Sequence, residues 1–244
     1  RMGTAGRQSQ TVRSARVVSQ LALAVVFLAG AGLMVRSFWR LTHVNPGFEP
    51  DQVLTLRVSI PETKYPYPGK DAAYRNELID KVAALPGVVA VGGSKPAPLR
   101  GGGEPYEFSA VGKDGAPRIL HARSGAYIVT PGYFRALGIP IVRGRDFSRQ
   151  DNPDAFYLLV NEAAAREFWP NENAIGQTLL QGERRAEVIG VVGDVRNDGL
   201  ATDAASAVYV PITRLSRSTL NIFVQNPENP HPMPTAARES PRAV

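Results

Sequence analysis

The first candidates for metal or general-base chemistry in this chain are its three histidines, His43, His121 and His231. They lie far apart and lack the short spacings that bring two imidazoles onto one ion. His43 follows an apolar segment, His121 falls in an expected strand and His231 in a proline-rich tail, so ordinary surface or strand roles account for each. The chain has no cysteine, which excludes disulfides, thiolate catalysis and cysteine-zinc sites. No nucleophile elbow of the form Gly-x-Ser-x-Gly occurs.

Phosphate chemistry fares no better. Gly101-Gly102-Gly103 resembles a phosphate loop in composition only, without the Gly-Lys-Ser/Thr ending or a following helix. Gly92-Gly93-Ser94-Lys95 is followed by Pro96, so no helix extends from that lysine. Gly190, Gly193 and Asp194 suggest a nucleotide turn, but EVIGVVGDVR reads as one strand, where glycine more often marks a bulge or close packing. Asp194, Asp198 and Asp203 lack the spacing of a calcium loop and read as solvated turn carboxylates. The residues give no catalytic site, no metal site and no cofactor.

The charge pattern points elsewhere. The net charge is +6, and six arginines (Arg1, Arg7, Arg13, Arg16, Arg36, Arg40) precede the first acid, Glu49. The remainder is balanced, so the excess flanks one segment and does not form the basic footprint of a nucleic-acid-binding domain. That segment, residues 17–35, reads VVSQLALAVVFLAGAGLMV, without a charge. At about 1.5 Å per residue it spans roughly the hydrocarbon thickness of a bilayer. A cleaved signal peptide would carry a shorter apolar run, despite Ala29-Gly30-Ala31. Arg16 and Arg36, with Phe38 and Trp39, read as interfacial anchors, and residues 17–40 as a transmembrane helix in contact with the lipid bilayer. The arginines ahead of it place residues 1–16 in the cytoplasm and the main domain outside, which in a bacterium is the periplasm. A cysteine at Ser109, labelled in intact cells, would report that topology.

Beyond the helix, Asn45-Pro46-Gly47-Phe48-Glu49-Pro50 is a turn-rich connector. Gln52–Ile60 alternates as a half-buried strand. A helix is expected over Lys70 to Leu85, with Tyr74, Leu78, Ile79, Val82 and Leu85 as its stripe and Pro86-Gly87 as its stop. Further strands are expected at Val88–Gly92, Tyr106–Val111, Ile119–Val129, Phe156–Val160, Thr178–Leu180, Ala186–Val195, Ala207–Ile212 and Leu220–Gln225. Thr130 is the expected N-cap of a short helix carrying Tyr133, Phe134 and Leu137 and stopping near Gly138, followed by a turn region that contains Gly144-Arg145-Asp146-Phe147. Asn161 is the expected cap of another helix, ended by Pro170. The fold class is α+β: one N-terminal transmembrane helix, then a mixed α/β core domain over residues 41–225. A subdomain join is expected near 145–155, and a disordered tail over 226–244.

The stretch from Gln20 to Pro61 resembles the first helix and following strand of MacB-like, FtsX-type ABC-transporter permeases. VTPGYFRALGIPIVRGRDFS (Val129–Ser148), VNEAAAREFWPNENAIGQTL (Val160–Leu179) and VIGVVGDVRNDGLA (Val188–Ala201) extend the resemblance in the same order, as in the duplicated-permease type. It implies a periplasmic core domain between the first two transmembrane helices of a bacterial inner-membrane permease. It also implies partners: a separate ABC ATPase subunit or domain, and the remaining permease helices. The role it implies is partner interaction and mechanotransmission, with no catalytic residues. Such a permease carries three more transmembrane helices, so the chain reads as a fragment or the product of a truncated gene. Two other readings stand beside it: a single-pass anchored sensor or ligand-binding domain, and an exported enzyme. For a docking role, Tyr133, Phe134 and Phe147 are the residues to inspect, with core packing the better reading of each.

Overall fold

The computed structural model describes residues 5–60, 70–100, 102–111, 117–121, 125–152, 154–212 and 219–226. The chain divides into two compact units, Arg1–Val44 and Asn45–Val244. Residues 227–244 of the expected tail, His231 among them, lie outside the described residues.

The first unit is a single helix, α1 (Ala5–Thr42), longer than the apolar segment alone. Within it, Arg16–Thr42 is long and apolar enough to cross a membrane, by length and composition. Its apolar side chains are exposed all round the helix, from Val17 to Trp39, so it has no buried stripe. Arg16 and Arg36 are exposed about 30 Å apart along the axis. At the helix end, the Trp39 and His43 rings lie 4.3 Å apart.

The second unit is built on one sheet. Its elements in chain order are β1 (Val53–Ser59), α2 (Lys70–Ala83), β2 (Ala90–Lys95), β3 (Glu107–Val111), β4 (Pro117–His121) and β5 (Ala126–Val129). There follow α3 (Tyr133–Ala136), β6 (Ile141–Gly144), β7 (Tyr157–Asn161) and α4 (Glu162–Phe168). The chain continues with β8 (Thr178–Gln181), β9 (Arg184–Val192), β10 (Val208–Pro211) and β11 (Thr219–Gln225). The strand order is β1-β11-β2-β5-β10-β7-β9-β8-β3-β4, with β6 paired to β9. Only β5 with β10 and β7 with β9 run parallel; the other described pairs are antiparallel. β6 and β7 flank residues 145–155, and both pair with β9.

The central strands are buried on both faces, which is why they read as apolar runs rather than clean alternation. On one face Tyr127, Leu159, Tyr209 and Phe223 pack with α3 residues Tyr133 and Phe134. On the other, Leu158, Val160 and Val208 pack with Phe168 of α4, while Ile128 and Ile222 pack with Ile79 and Val82 of α2. Adjacent residues thus enter opposite clusters, the period-two rule of a strand.

Several expectations need correction. The single strand expected over Ile119–Val129 is two strands, β4 and β5, far apart in the sheet order. β6 was expected as part of a turn region; its four residues, Ile141–Gly144, all exposed, carry no alternation signal. Thr130 does not cap α3. Its hydroxyl accepts from Gly93 N at 2.7 Å, and the helix starts at Tyr133 behind Gly132, whose φ of 82° is left-handed. Asn161 caps α4 as expected, accepting from Ala164 N at 2.9 Å. At Gly190 the bulge and close-packing reading holds: the β7–β9 register slips next to it, and a Cβ would sit 2.5 Å from Arg145 O.

Candidate functional site

Two features of the second unit stand out: a connector pinned to the core, and a cavity floored by a buried arginine.

The connector is Asn45–Pro50. Asn45 Oδ1 accepts from Gly47 N at 2.8 Å, an Asx turn that reverses the chain. Gly47 has φ 87° and lies too close to the Asp194 backbone for any side chain. Pro46 O then accepts from Arg196 N at 2.9 Å, and Glu49 N donates to Leu137 O at 2.8 Å. Phe48 packs against the aromatic cluster. Two backbone bonds and one ring therefore fix this short segment to the end of α3 and to the chain just beyond β9.

The cavity holds about 280 Å³. It lies where β5 and β10 end and β7 begins, beneath α2 and the segment Phe147–Ala155. Its walls are largely apolar, including Ile79, Pro131, Phe147, Tyr157 and Ile212. Arg75 lines it and is only 2% exposed. Asp71, one turn earlier, is its ion-pair partner at 3.6 Å, too long for a good hydrogen bond. Nε and Nη1 of Arg75 are buried and have no hydrogen-bond partner among the described residues. Burial pushes the Arg75 pKa down, and Asp71 pushes it back up. A guanidinium keeps its proton even so.

The rim is tied down by charge. Arg149 makes a two-pronged pair with Asp80 on α2, at 2.7 and 2.9 Å. Arg145 pairs with Asp151 at 2.8 Å and lies over the Tyr157 ring. Asp146 accepts from Phe147 N at 2.7 Å and from Gly132 N at 3.3 Å. Burial raises its pKa, and those two N–H groups partly offset the rise.

The residues singled out from sequence are scattered. Tyr133 and Phe134 are fully buried and Phe147 is 6% exposed, so the proposed docking aromatics belong to the core, as their packing reading had it. Asp194 accepts from Ala163 N and pairs with Arg166 at 2.7 Å, serving the start of α4. Asp203 pairs with Arg196 at 3.1 Å, and Gly102 N points at Asp198. Among the described residues, no group of three or more histidines or acids could hold a metal ion.

Arg75 escaped the sequence reading, though a signal was present. Asp71, Arg75, Ile79 and Val82 share one helical face, and all four are buried. An i, i+4 ion pair in register with two apolar core positions is the mark of a buried charge.

Comparison with known proteins gives a family. The model of the MacB-like periplasmic core domain matches residues 18–239. The macrolide export ATP-binding/permease protein MacB of Mannheimia succiniciproducens is 32% identical over 82 residues, 33% of this chain and 12% of that protein. MacB of Agrobacterium fabrum is 32% identical over 83 residues, 33% of this chain and 13% of that protein. The matched stretch thus spans about an eighth of these relatives. The crystal structure of the periplasmic region of MacB from Actinobacillus actinomycetemcomitans is 18% identical with a TM-score of 0.49, covering 80% of this chain and 82% of that one. With the family model matching nearly its whole length, the chain belongs to the MacB-like periplasmic core domain family.

Proposed function

We propose that this chain is the membrane-anchored periplasmic core domain of an ABC-type permease, and that it transmits force and engages partners rather than making or breaking bonds. ATP hydrolysis is assigned to a separate domain or subunit, and the remaining permease helices complete the membrane part. Family membership supports this reading, as does the apolar stretch Arg16–Thr42. The observation that carries it is the pinned connector. A displacement arriving at Asn45 meets backbone bonds to Arg196 and Leu137 and the packed Phe48 ring, not a slack linker. Packed interiors resist compression, so they pass on displacement rather than absorb it.

Topology is the first test. Ser109 is only half-exposed, on β3 between β4 and β8. Glu183, exposed in the β8–β9 turn, is the better labelling position. In a chain without cysteine, Glu183→Cys should react with a membrane-impermeant maleimide in intact spheroplasts. Reaction only after lysis would place the domain in the cytoplasm and end the proposal.

A further inference from the structure

We infer that the cavity beneath α2 is a binding site for a small neutral molecule, a hydrocarbon body of about ten heavy atoms bearing at most one uncharged polar group. The inference is independent of force transmission and rests on the size and lining of the cavity. Packed interiors leave few voids larger than a water molecule. This one holds about 280 Å³, well above the apolar cavity of about 150 Å³ that takes benzene. Its depth is hydrocarbon: Ile79, Phe147 and Ile212 are buried there beside Thr130. The Thr130 hydroxyl is already engaged, accepting from Gly93 N at 2.7 Å and donating to Pro131 O at 3.2 Å. The two Arg75 donors without a partner, Nε and Nη1, are closed off from the cavity within the protein.

Charge decides the class of ligand. Among the described residues, each charged side chain lining the cavity is matched: Arg149 to Asp80 and Asp151 to Arg145 at 2.7 to 2.9 Å, and Arg75 to Asp71 at 3.6 Å. An ionic ligand would bring a charge against hydrocarbon with no counter-ion to meet it, which is costly. A neutral one gives up only water. The mouth is polar and uncharged where Asn76, Ser148 and Asn152 are exposed, so a hydroxyl or amide on the ligand has partners there. Arg149 lines the cavity and reaches Asp80 on α2, tying two of its walls together. Both side chains are exposed, and such pairs add little stability, so this contact does not bar entry.

Thiol protection on the full chain in detergent tests the inference, since the chain has no cysteine of its own. Asn76→Cys places a single thiol at the mouth, and Glu183→Cys places one in the β8–β9 turn, outside the lining. The probes are 1-indanol, neutral and of the expected size, and its charged counterparts indane-1-carboxylate and 1-aminoindane. 1-Indanol should slow maleimide labelling of Asn76→Cys at least fivefold and leave Glu183→Cys unchanged. Half of that effect should need at least tenfold less 1-indanol than either charged probe. Adding Ala72→Phe, which fills the cavity from α2, should remove the protection. Ala155→Leu fills it from the segment before β7 and should do the same, so that a fold damaged by one substitution does not decide the result. No protection by 1-indanol, equal protection of Glu183→Cys, a charged probe of equal or greater potency, or protection that persists in both filled variants overturns the inference.

Discussion

Asn161 offers the sharpest test of how this domain is held together. Its side chain is fully buried between β7 and α4. Oδ1 accepts from Ala164 N at 2.9 Å, capping α4, and also from Ala207 N at 2.9 Å. Nδ2 donates to Ala205 O at 2.9 Å. One residue therefore joins a helix start to the chain entering β10. Asn161→Ala loses the cap, worth about 1 kcal/mol. It also orphans the buried Ala207 N–H, at a cost of about 1–3 kcal/mol. The Ala205 carbonyl, only partly buried, adds less. The sum is roughly 2–5 kcal/mol, which for a domain of this size lowers Tm by roughly 4–20 °C. Asn161→Ser should fall between parent and alanine, since serine can cap but is too short to reach Ala205 and Ala207. Thermal unfolding of the full chain in detergent, followed by circular dichroism, measures both. An alanine variant within about 2 °C of the parent, or a serine variant as damaged as alanine, refutes the reasoning.

Gly92→Ala places a Cβ 2.4 Å from the Tyr133 backbone, which cannot swing away, whereas Gly93→Ala meets Leu220 methyls at 3.1 Å and Asn221 O at 3.0 Å. The first should lose about 1–3 kcal/mol in the same melt and the second less; the reverse order would contradict this packing. Asp146 shapes the acid side of the stability profile. Its folded pKa is raised above 3.8 by burial, so between about pH 4 and that raised value the folded state holds more protons, and stability falls as pH rises. Asp80 and Asp151 act with the opposite sign. Arg149 lowers the Asp80 pKa, and at Asp151 burial is outweighed by Arg145 and Ser148 N, so their contribution is lost as pH falls below about 4. Asp146→Asn should flatten the falling limb in Tm measured from pH 3 to 7 and leave the acid limb in place. An unchanged falling limb would remove Asp146 from the account.

The sequence made helix–strand order legible wherever periodicity ran long. Gln52–Ile60 announced β1 by alternation, and Pro86-Gly87 closed α2 within a few residues. It was less legible where tertiary contacts overrode local signals. Thr130-Pro131 has the form of a helix start, yet Gly93 N claims the threonine hydroxyl and the helix begins later. β6 is too short and exposed to leave a pattern. The chain between β4 and β5 carries a breaker, Ser124-Gly125, with Gly125 at φ 77°, but the apolar residues on both sides of it mask the break, and nothing local shows that the two segments pair at distant places in the sheet. At the candidate sites, the Asn-Pro-Gly-Phe connector was visible as a motif, but its bonds to Leu137 and Arg196 join residues about 90 to 150 positions apart. The cavity was invisible because α2 was read by its apolar stripe, and Arg75 occupies a core position that such a reading skips.

The central claim is that a displacement of the membrane helix reaches the outer domain through its pinned connector. Hydrogen exchange on the proposed permease complex, this chain assembled with an ABC ATPase, tests that directly. Nucleotide-free and ATP-vanadate-trapped states would be compared over residues 45–52, 133–138 and 193–198. Trapping should change exchange in all three segments. A Gly-Gly-Ser-Gly-Gly-Ser insertion between Val44 and Asn45 should confine the change to the helix while ATP hydrolysis continues. Identical exchange in the two nucleotide states, or the same change with the flexible insertion in place, would contradict force transmission through Asn45–Pro50.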